Sequence, residues 1–132
     1  TYASILQTLR DRAYVRVEKN RFFAEEKGRL VTAFLERFFE RYVEYDFTAG
    51  LEGQLDAVSA GDASYLELLR AFWADFKPKT AEVLEQRPSD VTQALDEYLA
   101  PYLFPDAGDG RDPRLCPNCN AGRLALKTGR FG

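Results

Sequence analysis

The sequence has no histidine and no methionine, and it contains only two cysteines among 132 residues. Histidine and cysteine are common metal ligands, so their scarcity leaves little from which to build a closed metal site. No apolar run approaches the roughly 20 residues needed to cross a bilayer, and no secretory signal is recognisable. A membrane is therefore not an expected partner. The lack of methionine predicts that the chain is a fragment of a longer protein.

The composition is otherwise that of an ordinary globular chain, with 45% hydrophobic and 30% charged residues. This length allows one modest core, or a core with a small appendage. The net charge of −3 argues against nucleic-acid binding, but the charge is unevenly spread. Residues 1–41 carry +3, residues 43–106 carry −9 and residues 107–132 carry +3. Basic ends around an acidic middle suggest two phosphate-binding surfaces, although random scatter on a solvated surface is the alternative.

The first 24 residues organise the rest of the chain. An apolar stripe at helical spacing predicts a short helix; its members are Tyr2, Ile5, Leu6, Leu9 and Ala13. Alternation at Val15 and Val17 then predicts a strand, and Lys19-Asn20 a two-residue turn into a second strand. In that register Val17 faces Phe22, which we expect in the core. A helix followed by a basic hairpin is typical of a recognition helix and wing.

Several polar side chains of this stretch are candidate DNA-binding residues. Thr1 and Ser4 suit phosphate binding at a helix N-terminus, but the residues alone favour simple helix capping. Arg12 offers a planar fork for a phosphate or a base edge. The hairpin adds three cations, which either contact the DNA backbone or form a solvated tip: Arg16, Lys19 and Arg21.

Residues 25–104 predict a helical scaffold. Apolar stripes recur at helical spacing, and the first, from Leu30 to Tyr42, predicts one packed helix. Asp46 and Ser64 are expected N-caps, Gly61 is an expected helix end, and Pro78 is an expected interruption. Glu52 and Asp56 share a helix face, which could serve a metal, acid–base chemistry or pairing with arginine or lysine. No third ligand is suggested nearby, which disfavours metal binding and catalysis.

The composition of residues 105–114, which is rich in aspartate, glycine and proline, predicts a linker. Beyond it, Cys116 and Cys119 stand at the spacing that tetrahedral zinc accepts on a tight turn, followed by a strand pattern. Structural zinc needs four such ligands, so the pair is half a site, and we expect it to hold no stoichiometric zinc. A thioredoxin-like redox pair lacks its βαβ context, and a disulfide is the remaining alternative.

These patterns together predict a mainly α fold: a helical domain with a small winged-helix-like β-hairpin, followed by a truncated zinc-ribbon start. The expected boundaries are 1–104 for the helical DNA-binding domain, with the wing hairpin in 1–24 and the scaffold in 25–104. The linker covers 105–114, and the first half of a C4 zinc ribbon covers 115–132.

Certain motifs carry a resemblance to a known family. The series resembles, in the same order, motifs of the bacterial type IA DNA topoisomerases. It consists of Thr1-Tyr2-Ala3-Ser4-Ile5 with Arg12-Ala13-Tyr14-Val15, then Asp46-Phe47-Thr48-Ala49, Glu52, Leu55-Asp56, Trp73 and Cys116-Pro117-Asn118-Cys119. The match covers the whole chain except a loosely similar stretch, residues 78–110. In the family, Gly-Arg-Pro-Ser precedes the first motif and a second cysteine pair follows the last.

The resemblance implies a parent enzyme that relaxes negative supercoils through a tyrosyl 5′-phosphate link, with Mg²⁺ and without ATP. Its catalytic tyrosine and its Mg²⁺-binding Toprim domain would lie outside this fragment, which alone should be inactive. Thr1, Ser4 and Arg12 would hold single-stranded DNA near the cleavage site. The expected partners are DNA and the remaining topoisomerase domains, in a cytoplasmic, nucleoid-associated enzyme. Zn²⁺ would require the second cysteine pair.

Two other function classes fit parts of the sequence. A winged-helix transcription regulator would prefer duplex DNA and usually form a dimer. A helical protein-interaction module without a DNA role is suggested by the acidic middle of the chain. The ordered series of motifs weakens both.

Overall fold

The computed structural model describes residues 2–127 and 129, which form a mainly helical chain with one small antiparallel sheet. Its elements in order are α1 (Tyr2–Asp11), β1 (Val15–Glu18), β2 (Arg21–Ala24), α2 (Glu26–Phe38), α3 (Glu40–Val43), α4 (Tyr45–Ala60), α5 (Tyr65–Leu84) and α6 (Pro88–Leu103). The prediction of a mainly helical fold with a short hairpin is confirmed. Among the described helices, none combines the length and the apolar character that a membrane span requires.

Strands β1 and β2 form the hairpin in the predicted register. Val17 pairs with Phe22, and Val15 pairs with Ala24. The turn residues Lys19 and Asn20 have φ values of 48° and 60°. Positive φ at both central positions is the signature of the tight turn whose twist matches that of the strands. The observed register is therefore the one that the local sequence predicts.

The chain divides into two compact units. The first comprises the described residues of Thr1–Phe34 and Thr92–Gly132, and it contains α1 and the hairpin. Ala33 on α2 and Leu95 on α6 are the buried apolar residues of the described chain. Gly28 on α2 also lies very close to Tyr14, since a Cβ at Gly28 would stand 2.2 Å from the Tyr14 carbonyl oxygen. The expected domain boundaries at 104 and 115 stay a prediction.

The second unit comprises Leu35–Val91 and is built around aromatic rings. Tyr42 packs edge-on against Phe47 and Phe76, with ring centroids 5.2 and 5.0 Å apart. Phe72 stacks on Phe76 at 5.2 Å. Offset and edge-on contacts of this kind add to the stabilisation from apolar burial. The predicted aromatic stripe thus serves packing.

The capping predictions for this unit are partly right. Gly61 ends α4 at φ 84°, and its N–H donates to the last turn of the helix. The Ser64 hydroxyl accepts from the Glu67 N–H at the start of α5. Asp46, however, lies inside the first turn of α4, and the N-cap position is Glu44 without a side-chain cap. A charge near the positive helix end is favourable at either position, so composition does not fix the boundary.

Two helix predictions are wrong. The apolar stripe from Leu30 to Tyr42 predicts one helix, but α2 ends at Phe38 and Phe39 adopts non-helical angles before α3. Conversely, α5 continues through Pro78, where an interruption was predicted. Proline removes one hydrogen bond of the ladder. The ring packing of Phe72 and Phe76 precedes it, and helix-favouring residues follow it, so the helix survives that loss.

The apolar stripe of α1 is largely open to solvent in the described chain. Tyr2 is 77% exposed and Ile5 is 60% exposed. The helical spacing predicts the helix correctly but gives no measure of how far its apolar stripe is covered. Phe22 was expected in the core and is 49% exposed, so that prediction is wrong. Register determines which face Phe22 occupies, whereas only tertiary contacts determine whether that face is covered.

Candidate nucleic-acid interface

Helix α1 ends in a turn that places Arg12 immediately beyond the helix. Ala13 adopts a left-handed φ of 55°, and its N–H donates to the Arg10 carbonyl at 2.9 Å. The Tyr14 N–H donates to the Leu9 carbonyl, also at 2.9 Å. These two bonds form the Schellman arrangement that satisfies the last carbonyl groups of a helix. Arg12 therefore projects from a closed turn and is exposed to solvent.

Ser4 lies in the first half of α1, on the exposed surface. Its carbonyl oxygen accepts from the Thr8 hydroxyl at 2.9 Å, one turn further along the helix. The predicted partner residue Thr1 lies outside the described residues. The phosphate site expected from Thr1 and Ser4 together therefore stays a prediction.

The hairpin carries the three predicted cations in different environments. Arg16 donates to Glu18 at 2.8 Å and to Glu25 at 3.0 Å. Its guanidinium also lies over the Phe23 ring, 4.9 Å from the centroid. The hydrogen bond to Glu18, followed by that to Glu25, raises the pKa of Arg16 above its ordinary value. Arg16 is therefore held by two carboxylates and an aromatic ring.

Lys19 and Arg21 lack such partners among the described residues. Lys19 occupies the turn and Arg21 opens β2, and both are exposed. Arg12 likewise has no ion-pair partner in the part of the chain that the structure describes. These three cations are on the same compact unit as the hairpin. An unpaired cation can meet a phosphate without first breaking an internal ion pair.

Two phenylalanines occupy opposite faces of the same hairpin. Phe22 pairs across the ladder with Val17, and Phe23 pairs with Arg16. Phe22 is 49% exposed and Phe23 is 38% exposed. Exposed aromatic rings beside cations are suited to stacking on unpaired nucleic-acid bases. Sequence periodicity places the two rings on opposite faces but gives no measure of their exposure.

The two cysteines lie on a small loop that we call the cysteine hairpin, residues 114–126. Leu115 and Arg123 form its antiparallel bridge, and the Cys116 N–H donates to the Gly122 carbonyl at 2.8 Å. The Gly122 N–H donates to the Cys119 Sγ at 3.3 Å. That bond, with further N–H donors and the Cys116 side chain, lowers the pKa of Cys119. Donors aimed at sulfur favour the thiolate that binds metals.

The described residues do not complete a metal site around these thiols. No group of three or more histidine, cysteine, aspartate or glutamate side chains in positions 2–127 and 129 is arranged to hold a metal ion. This finding also covers Glu52 and Asp56 on α4. The donor chemistry of Cys116 and Cys119 fits one half of a tetrahedral zinc site, for which two further ligands are needed.

Sequence reasoning missed two polar clusters. Asp75 on α5 accepts from Arg41 and from the Tyr42 hydroxyl, each at 2.8 Å. Burial and then this hydrogen bond raise the pKa of Tyr42. Asp96 on α6 binds Arg114 of the cysteine hairpin. The partners are separated by 33 and 18 residues, and no periodic pattern connects positions so far apart.

Comparison with known proteins decides the family. The family model described as DNA topoisomerase matches residues 1–70, which include α1, the hairpin and α2. The chain belongs to the bacterial DNA topoisomerase I family. The prediction drawn from its motifs is confirmed.

Individual topoisomerase relatives are similar along the whole chain. The DNA topoisomerase 1 of Zymomonas mobilis is 67% identical over all 132 residues, which correspond to 11% of that protein. The DNA topoisomerase 1 of Rickettsia conorii is 48% identical over the same residues, or 17% of its length. That of Xylella fastidiosa is 39% identical, with 14% covered. The chain thus spans less than a fifth of these topoisomerases.

Proposed function

We propose that this chain is the part of a type IA topoisomerase that holds single-stranded DNA near the cleavage site. The observation that carries the proposal is the set of exposed cations beside α1 and the hairpin. Arg12, Lys19 and Arg21 have no described acidic partner, whereas several other arginines of the described chain are paired: Arg41, Arg87, Arg114 and Arg123. Exposed cations without internal partners are the expected footprint of phosphate binding.

The roles of the remaining candidates follow from their surroundings. Arg12 supplies the fork for a phosphate, while Lys19 and Arg21 contact the backbone from the hairpin. Thr1 and Ser4 bind phosphate at the beginning of α1. Arg16 has the weaker part, since Glu18 and Glu25 already hold its guanidinium. Phe22 and Phe23 offer rings on which unpaired bases stack.

In this proposal the hairpin acts as a wing and the bond-making chemistry lies elsewhere in the enzyme. The parent enzyme breaks one DNA strand through a tyrosyl 5′-phosphate link, relaxes negative supercoils and reseals the strand without ATP. No tyrosine of this chain is assigned as the nucleophile, and the Mg²⁺ site is assigned to the Toprim domain. The chain's contribution is to orient the strand, which affects rate even without reacting groups.

The cysteine hairpin is proposed as the start of a zinc ribbon. Cys116 and Cys119 would supply two thiolates, and a second pair of ligands would complete the tetrahedron. Zinc, when bound, would fasten the arms of the ribbon and have no part in strand breakage. We also propose a cytoplasmic, nucleoid-associated location for the enzyme, with DNA and the other topoisomerase domains as partners.

Oligonucleotide binding tests the proposal. Fluorescence anisotropy with a labelled single strand and its duplex, across a salt series, should show weak binding of the single strand. The expected dissociation constants are about 10⁻⁴–10⁻⁶ M, weakening as salt rises. Clear preference for duplex would instead support a transcription regulator. Absence of DNA binding, with capture of a protein partner, would support an interaction module.

A matched pair of variants tests the position of the site. Arg12→Ala and Arg70→Ala each remove one exposed arginine without a described ion-pair partner, but Arg70 lies on α5 in the acidic part of the chain. Arg12→Ala should weaken single-strand binding and reduce the salt slope by about 0.7 for one lost phosphate contact. Arg70→Ala should leave both nearly unchanged. Equal effects of the two changes would mean that overall charge, and not the proposed site, governs binding.

A further inference from the structure

One carboxylate of helix α6, that of Asp96, contacts both arms of the cysteine hairpin. From the first arm, the Arg114 guanidinium lies 2.9 Å from Asp96 Oδ2 and 3.2 Å from Oδ1. From the second arm, the Leu126 N–H donates to Asp96 Oδ1 at 2.6 Å. A single side chain therefore contacts the chain before and after the two thiols.

The Arg114 side chain makes several contacts besides its ion pair with Asp96. Beyond the carboxylate, it donates to the backbone carbonyl of Asp96 at 3.1 Å and to that of Leu124 at 3.1 Å. Its guanidinium also stacks over Phe104, 4.2 Å from the ring centroid. These contacts use the planar, multi-donor geometry that lysine cannot reproduce. Arg114 thus ties α6 to both arms of the hairpin at once.

This ion pair is less exposed to solvent than the other ion pairs of the described chain. The side chains of Arg114 and Asp96 are each 16% exposed, whereas Arg87 and Asp90, at the start of the same helix, are 80% and 46% exposed. Exposed pairs contribute little because water screens them. When a pair is shielded from water, removing one partner leaves the other charge poorly solvated. Asp96 and Arg114 therefore depend on each other.

We infer that Asp96 is a positioning residue that holds the cysteine hairpin on α6 and sets the direction of its two thiols before any metal binds. The hairpin's own bonds, such as that from the Cys116 N–H to the Gly122 carbonyl, shape the loop. The contacts of Asp96 fix the loop to the helix. The orientation of Cys116 and Cys119 is consequently a property of the protein chain, and a thiophilic ion finds the two sulfurs already placed.

Amide hydrogen exchange and thiol alkylation in the full, metal-free chain test this inference. In Asp96→Ala, exchange of the Leu126 amide should accelerate about 10- to 100-fold, the range implied by losing a hydrogen bond to a charged group. Cys116, which is partly shielded, should react faster with iodoacetamide. Alanine favours helix, so α6 itself should persist. Glu97→Ala, one position along α6 on an exposed side chain, is the matched control and should change neither rate.

Two further variants make the result decisive. Asp96→Asn retains an acceptor oxygen for Leu126 but loses the charge that Arg114 contacts, so its exchange rate should be intermediate. Arg114→Gln leaves the Asp96 carboxylate free to accept from Leu126 but removes the contact between the first arm and Asp96, so its effect should also be intermediate. In the double variant of Asp96→Ala and Arg114→Gln, the two effects should be less than additive. The inference is overturned if the Leu126 and Cys116 rates match those of Glu97→Ala. It is equally overturned if the β1–β2 amides accelerate as much as Leu126, or if the two single effects simply add.

Discussion

Replacing Gly28 with alanine should destabilise the chain, although alanine is the better helix former. Gly28 lies in the first turn of α2, where a Cβ would stand 2.2 Å from the Tyr14 oxygen, 3.0 Å from its carbonyl carbon and 3.1 Å from its Cα. An ordinary contact between carbon and oxygen requires about 3.3 Å or more. The obstacle is backbone, so no side-chain rotation relieves it. Helix α2 must move away by about 1 Å.

The size of the effect follows from three contributions. Overpacking of this kind costs about 1–3 kcal/mol. The Tyr14 carbonyl also accepts from the Glu25 N–H at 2.9 Å, and stretching that bond loses about 1 kcal/mol. Alanine returns about 1 kcal/mol through helix propensity. The expected net loss is about 1–3 kcal/mol.

The same substitution elsewhere supplies a control of opposite sign. Gly50 and Gly53 lie inside α4, and a Cβ at either position meets nothing within 4 Å. Alanine there should stabilise the helix by about 0.5–1 kcal/mol. Urea unfolding followed by circular dichroism gives the free energies, and exchange of the Glu25 amide reports the local change. A Gly28→Ala variant as stable as Gly50→Ala, with an unchanged Glu25 amide, would refute the close approach of α2 to Tyr14.

Two other predictions concern the backbone at Ala13 and the phenol of Tyr42. Ala13→Gly should stabilise the chain by about 1 kcal/mol in urea unfolding, because glycine adopts the left-handed φ of 55° without the penalty that alanine carries; a loss of stability would contradict this. Asp75→Asn should bring the raised pKa of Tyr42 closer to its ordinary value, measured by tyrosinate absorbance against a Tyr42→Phe reference in each background. Because the folded pKa is raised, the contribution of Tyr42 to stability is complete below about pH 10 and is lost as the pH rises further. The Asp75→Asn variant should lose less over that range, and an equal alkaline loss in both proteins would exclude the role of Asp75.

The sequence predicts features that depend on neighbouring residues. The register of the hairpin follows from alternation around Lys19-Asn20, and the cap at Ser64 follows from its spacing to Glu67. Both rest on bonds between residues close in the chain. The Schellman turn at Ala13 was not predicted, because alanine does not normally signal a left-handed residue. Glycine at that position would have been a usable signal.

Contacts between distant residues could not be predicted in the same way. Phe22 has the alternation of a half-buried strand, but its exposure depends on whether another element covers that face. Pro78 has the local preference of a helix breaker, yet α5 continues because packing and flanking residues outweigh one missing hydrogen bond. The Arg114–Asp96 pair depends on the fold bringing α6 to the cysteine hairpin. No periodic pattern in a single sequence indicates that two such distant residues form a pair.

The proposed DNA-binding geometry is fixed mainly by backbone contacts at one junction. The Ala13 and Tyr14 N–H groups close α1, the Tyr14 carbonyl accepts from Glu25 at the entrance to α2, and Gly28 lies against that carbonyl. Arg12 precedes this junction and the hairpin follows it, so their relative placement does not depend on a large apolar core. This explains how a unit with few buried side chains can present cations at defined positions. Gly28 and Ala13 contact no DNA in the proposal, yet they control the geometry with which Arg12 contacts it.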